Sequence, residues 1–419
     1  MTGYRIELRR SPLRWWYLPL VALAAAMAVL PGAWQDSWPR ASAAASAAAL
    51  PLMVAGCGLV AHRAGAAARR GADAPVASRR GSTAELVSLA ADATWLAAAH
   101  LTAVAVVWGA ALAVGLPGAP WPEYPLFGLA GVVLAAAVGH VLGRLLPTRY
   151  TPVLATVGGY VLFLAVMADG SPLTATIGYQ GVEQRLSATH LVWRLALVAL
   201  AVTAVVLLTG GRSDARPSGR RPARSMRLAG PAAAAALLVG VVAMPSGPEA
   251  GFHTARTSAD PACDGTVDDG EVCVWPEHAH RLPDAVDMAG RLAAAGEGVI
   301  PAGVVHREVG LAGAGAVGQG FLLDHGRGDL ARTMAGGSVA ATLPVCDRWG
   351  PQEWAVQDAL TLWLELRALD TDRLPNRGSF SSGEDADRTD EVVRVLALPH
   401  AEQTARARAW TAELEAAPC

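Results

Sequence analysis

The sequence predicts an all-α polytopic membrane bundle of about seven transmembrane helices that carries a small, mainly α extracytoplasmic domain. Three observations lead there. Of 419 residues, 53% are hydrophobic and only 17% charged, where soluble domains carry about a quarter charged. The shortage is confined to residues up to about Met244, which hold long runs of Ala, Leu and Val, whereas Pro245 to Cys419 has ordinary soluble composition. Arginine and cysteine are also unevenly divided between segments, in a way that assigns sides to the membrane.

A crossing helix needs about 20 apolar residues. Candidate spans are Trp15–Leu30, Ala41–Val60, Ala93–Leu116, Leu126–Leu145, Thr151–Met167, Leu191–Leu208 and Leu228–Met244. The second is the least apolar, being rich in alanine. Trp15, Trp16, Tyr17, Trp34, Trp38, Trp121 and Tyr124 fall at span ends, where amphipathic rings prefer the headgroup layer. The chain therefore reads as a transmembrane domain over 1–244, a Gly-, Pro- and Asp-rich linker over 245–270, and a soluble domain over 271–419.

With the N-terminus inside, the segments on that side hold seventeen arginines and the opposite short loops three, Arg40, Arg185 and Arg194. Positive charge favours the cytoplasmic side, and seven crossings then carry the tail outside. Cysteine agrees. Cys263, Cys273, Cys346 and Cys419 all lie in the tail and only Cys57 in the membrane part. An even count in an oxidising compartment reads as disulfides. Proximity favours Cys263–Cys273, and elimination leaves Cys346–Cys419 as the second of the possible pairs. Within the tail, helical spacing of apolar residues appears at Asp284–Ala295, Asp329–Ala340, Gln352–Leu369, Glu391–Leu398 and Ala401–Ala416. Glu271–Trp275 and Val299–Val309 read as extended, and Arg373–Arg388 as a polar loop.

Arg79 to Ala90, Arg-Arg-Gly-Ser-Thr-Ala-Glu-Leu-Val-Ser-Leu-Ala, lies between the second and third spans. Ser82 or Thr83 caps a short helix there, and Glu85 completes a capping box. Lying flat at the cytoplasmic surface, such a helix passes force from a soluble motor to the bundle. This layout, with the amphipathic start Tyr4–Arg14, resembles the permease subunits of ABC-type exporters over about the first 210 residues. The resemblance implies a separate ATPase subunit contacted through Ser82, Glu85 and Leu86. The other reading of the segment is a plain basic loop. A seventh span and a large tail depart from the usual six-span permease.

Polar residues inside spans are costly and point to function or to interhelical bonding. His100, His140, His190 and Arg194 are of this kind. His100, His190 and Arg194 suit a substrate path or proton relay, or they bond neighbouring helices, with Arg194 snorkelling outward or pairing with Glu183. In the tail, Glu277, His278 and His280, with His306, Glu308 or His325, form the densest polar cluster. On a strand, His278 and His280 would face one side as paired metal ligands need, but no second fixed pair accompanies them. The alternative is a surface loop held by Cys273. All 34 Lys or Arg residues are arginine, so no Walker-type phosphate loop exists. A net charge of −2 gives no reason to expect nucleic acid as a partner. The partners implied are the lipid bilayer and an ATPase; no cofactor is expected. The competing function is a membrane-anchored extracytoplasmic hydrolase or signal sensor.

Overall fold

The computed structural model describes residues 2–69, 81–166, 181–213, 253–256, 260–265, 270–311, 320–323, 326–343, 349–371 and 383–417. The chain divides into two compact units, Met1–Gln180 with Gln184–Thr254, and Gly181–Glu183 with Ala255–Cys419.

The first unit is helical. A short helix α1 (Thr2–Arg10) is bent by 62° from α2 (Leu13–Val29) at Ser11–Pro12, because the proline lacks an N–H and its ring crowds the preceding turn. α3 (Trp38–Ala47) and α4 (Ala49–Arg69) follow with a break at Ala48. Then come α5 (Gly81–Ala113), α6 (Glu123–Leu145), α7 (Thr151–Val166) and α8 (Ala188–Ser213). Two short strands, β1 (Gln184–Leu186) and β2 (His253–Ala255), pair with each other.

Among the described residues, four helical stretches are long and apolar enough to cross a membrane: Trp38–Arg69, Thr83–Ala113, Glu123–Leu145 and Ala188–Val205. A fifth is added if the bent pair α1–α2 counts as one span. Seven spans are thus not found among the described residues. Of the expected fifth span, Thr151–Val166 is helical, and the residues from 167 to 180 lie outside the described residues. The expected seventh, Leu228–Met244, lies outside the described residues. A second correction concerns residues 79–90. Residues 79 and 80 lie outside the described residues, and from Gly81 the chain runs unbroken to Ala113 as one helix of 33 residues, so 81–90 form no separate surface helix. Nothing between those ends breaks a helix, and the two acids near its start are neutralised by partners described below.

The centre of the unit is the packing of α4 on α6. Apolar side chains gain nothing by leaving lipid, so helices associate there through close packing, which small residues permit. A Cβ placed on Gly139 would collide with the Cys57 carbonyl, and one on Gly143 with the Ala61 carbonyl. The outer surface is apolar: Leu18, Leu112, Val153, Leu154 and Val192 are all exposed. Apolar helices of this length and surface are compatible with membrane insertion.

The second unit combines a mixed sheet with helices. Strands β3 (Ala262–Gly265), β4 (Glu271–Val274), β5 (His306–Glu308) and β6 (Gly320–Phe321) lie in that order, β3 antiparallel to β4 and the rest parallel. A parallel pair needs a crossover of a dozen residues or more, and α9 (Leu282–Ala295) supplies it between β4 and β5. Further helices are α10 (Arg327–Thr342), α11 (Pro351–Ala368), α12 (Gly383–Leu396) and α13 (His400–Glu415). The five expected helical segments are therefore present. The expected polar loop over 373–388 is helical from Gly383, and the extended run expected over 299–309 narrows to His306–Glu308. Strand β3, inside what the sequence presents as linker, is drawn into the sheet by a disulfide between Cys263 and Cys273, which face each other directly across the β3–β4 pair. Cys346 and Cys419 lie outside the described residues. Met288, Met334, Leu360, Trp363 and Trp410 fill the core against the sheet's inner face.

Substituting Gly139 by Leu should separate α4 from α6 and cost about 1–3 kcal/mol, as overpacking does. Gly158→Ala, where an added Cβ meets nothing within 4 Å, should change little. Thermal unfolding of both variants in mild detergent compares them.

Candidate functional site

The chemistry-bearing residues of the first unit gather where α1, α4, α5 and α6 meet. Glu85 and Asp92 lie seven residues apart on α5, two turns along one face. Glu85 is only 3% exposed. Its Oε2 accepts from His140 Nε2 at 2.8 Å and from Arg144 Nε at 3.0 Å. Arg144 Nη2 completes a two-point grip on Oε1. One turn separates His140 from Arg144, so both reach the same carboxylate. Asp92, 1% exposed, accepts from Ser11 Oγ at 2.8 Å and pairs with Arg63 of α4. The same guanidinium reaches Glu7 of α1 at 2.5 Å. Three carboxylates therefore face two arginines and one imidazole within a few turns of helix.

This geometry relocates the residues expected to contact an ATPase. Glu85 points into the bundle and holds α5 to α6, so it is not offered to a soluble partner. Leu86, by contrast, is 44% exposed, one turn from exposed Thr83. The side chain of Ser82 is outside the described residues. Glu7, Ser11, Arg63, Asp92 and Arg144 were not singled out from the sequence. The available signal was the spacing of two acids on one face of an otherwise apolar helix. Counting arginines as loop charges concealed it.

The residues expected to line a path do not join this cluster. His100 is buried on α5, and its Nε2–H donates to the Pro125 carbonyl at 3.0 Å, which ties α5 to α6. His190 and Arg194 are buried one turn apart on α8. Arg194 does not snorkel outward: it is 1% exposed and lies over the Phe127 ring at 4.8 Å.

In the second unit the cluster is organised by Glu308. Its Oε2 accepts from the Trp275 backbone N–H at 2.8 Å, and its Oε1 lies 2.5 Å from His278 Nδ1. A carboxylate can only accept, so Nδ1 carries the proton. The Trp275 indole N–H reaches the Val309 carbonyl. Residues Pro276–Arg281 form a tight 3₁₀ turn rather than a strand, since Pro276 suits a helical first position and not a sheet ladder. His278 therefore faces inward and His280 outward, and the two do not present a paired ligand face. Glu277 forms an ion pair with Arg256 at 3.0 Å. His325 lies outside the described residues. Among the described residues, the metal-like grouping is Cys263, Glu271 and Cys273, whose cysteines are bonded to each other.

His306 shares the inner face of β5 with Glu308. It borders a cavity of about 30 Å³ with Leu292, Ile300 and Ser338, room for a water or two. Burial lowers its pKa to about 4. His280, nearer the surface, is also lowered, first by desolvation and then by the charges of His278 and Arg281.

Residues 272–416 match the model of a domain family of unknown function, DUF7224. The match runs from β4 to the end of α13 and thus covers most of the second unit. No curated protein and no solved structure matches the chain.

Two outcomes are expected. Glu85→Gln leaves Arg144 without its buried counter-ion and should cost about 3–5 kcal/mol of bundle stability. The double variant Glu85→Gln with Arg144→Gln should recover part of that loss, because no lone charge remains; unfolding midpoints in detergent decide. For His306, the unfolded imidazole binds a proton near pH 6.5 and the buried one only near pH 4. Between those values the unfolded state holds more protons, so acid favours unfolding. The stabilisation is whole at neutral pH, and about 3 kcal/mol should be lost on descending to pH 4. Hydrogen exchange at β5 and α9 should follow that profile, and His306→Gln should flatten it.

Proposed function

We propose that this chain is the permease-like membrane component of an ABC-type export or resistance system, working with a separate ATPase. In this reading the N-terminus lies in the cytoplasm and the 271–419 domain outside. The arginine asymmetry supports the first part. The Cys263–Cys273 disulfide supports the second, since such bonds persist in oxidising compartments.

The observation that carries the proposal is the build of α5. Its 33 residues extend roughly 50 Å against a hydrocarbon core of ~30 Å. Roughly 20 Å of rigid helix is thus available beyond the core, and the charged start of that helix is ion-paired to α4 and α6 and hydrogen-bonded to α1. Force applied at the exposed Thr83–Leu86 face would reach those helices through Glu85 and Asp92, not through a flexible loop. The contact role expected for Glu85 accordingly passes to Leu86, and Glu85 becomes the transmitter. His100, His190 and Arg194, all buried in the bundle, remain candidates for a substrate path under the same reading.

Purification of the chain in mild detergent from its native host should bring down a partner that hydrolyses ATP. Leu86→Asp should abolish that association while the chain stays in the membrane at normal abundance. His280→Ala, on the other unit, should leave it intact. Absence of an ATP-hydrolysing partner, or retention of it by Leu86→Asp, counts against the proposal. Loss of the cell phenotype with His280→Ala alone would favour an anchored hydrolase or sensor instead.

A further inference from the structure

We propose that the outward face of α1, continued by Arg14 and the Trp15–Trp16 pair, is a binding surface for anionic phospholipid headgroups. The inference is independent of the transport reading, since it concerns only the first unit and the lipid around it.

The argument starts from charge. Among the first 35 residues Glu7 is the only acid, and Arg5, Arg9, Arg10 and Arg14 are the bases. Glu7 is turned toward the bundle and engaged by Arg63. The four arginines are exposed, and among the described residues none of them has a carboxylate partner. Their charge is therefore uncompensated by the described residues.

The rest of α1 explains why that face stays outward. Tyr4 Oη bonds Thr94 Oγ1 at 2.8 Å, and the Trp95 indole N–H donates to the Leu8 carbonyl at 2.9 Å. Together with Glu7 and Ser11, these contacts pin one side of α1 to α4 and α5. The opposite side is left to carry Arg5, Arg9 and Arg10, and the 62° bend sets α1 across the direction of α2 rather than along it.

Position supplies the third argument. Immediately past the bend, Trp15 is 74% and Trp16 51% exposed, on the first turn of the apolar helix α2. Exposed tryptophans at the end of an apolar helix mark the headgroup layer. Arg14 lies over the Trp15 ring at 4.6 Å, so guanidinium and indole share one level. Guanidinium groups at that depth meet lipid phosphates, which they bind in a two-point, charge-assisted manner. A zwitterionic lipid brings its own ammonium group to the same place; an anionic lipid such as phosphatidylglycerol does not, and it is the better match to four unpaired cations.

The test uses the full chain in mild detergent, titrated with phosphatidylglycerol or phosphatidylcholine, with bound lipids counted by native mass spectrometry. The wild type should retain phosphatidylglycerol in preference to phosphatidylcholine. Each basic residue near a charged lipid surface is worth roughly fivefold in binding, so Arg5→Gln, Arg9→Gln and Arg10→Gln together should weaken phosphatidylglycerol roughly 100-fold and erase the preference. Replacement of the same three by lysine should restore most of it. A control with Arg291→Gln, Arg327→Gln and Arg394→Gln removes equal charge from the other unit and should leave the preference unchanged. Equal retention of both lipids by the wild type overturns the proposal, as does a preference that survives the α1 substitutions. An equal loss in the control also overturns it, because net charge would then be the cause. Unfolding midpoints without added lipid establish that each variant is folded.

Discussion

The close approach of α4 and α6 is the constraint on which the rest of the first unit depends. In lipid, helices are not driven together by the hydrophobic effect, so backbones must come near enough for dispersion contacts to hold them. Gly139 and Gly143 permit this by offering no Cβ to the Cys57 and Ala61 carbonyls. The polar cluster is built on the same contact. Arg63 follows Ala61 by two residues, and His140 and Arg144 directly follow Gly139 and Gly143. A larger residue at either glycine would push apart the helices whose charged groups grip α5 on both sides.

That placement makes the ionic cluster a consequence of packing as much as of charge. A lone Glu85 or Asp92 in an apolar helix would resist insertion. Each instead finds a cation from a different neighbouring helix, and Glu7 of α1 and Ser11 at the bend are added from a third direction. The result joins four helices through one face of α5. Buried pairs of this sort specify arrangement more reliably than they add stability. α5 is thus continuous from Gly81 to Ala113 with its start tied to neighbouring helices, not a loop followed by a span.

The second unit meets the problem of buried charge differently. There hydrophobic burial around Trp363 and Trp410 forms the core. Glu308 is buried at the sheet, where both of its oxygens are engaged by Trp275 and His278. This arrangement closes the 3₁₀ turn over the sheet and fixes the direction in which His280 leaves it. The cross-strand disulfide adds β3 to a sheet that a Gly- and Asp-rich segment would not join through propensity alone.

Composition and periodicity by themselves determined that the chain has apolar helices suited to a membrane, followed by a separate domain with five helical segments. They also favoured Cys263 and Cys273 as a pair, which the structure bonds. These properties follow from local sequence: hydrophobic runs, helical spacing and a separation of ten residues between the two cysteines. Tertiary structure alone decided which of the described residues form long apolar helices. It also fixed the continuity of α5 through Gly81–Ala113, the inward turn of Glu85 and the separation of His278 from His280. The physical reason is that each of these depends on what a side chain meets across a helix or sheet. A glutamate near the start of an apolar helix reads as a surface cap until a partner such as Arg144, fifty-nine residues away in sequence, arrives from the neighbouring helix to neutralise it.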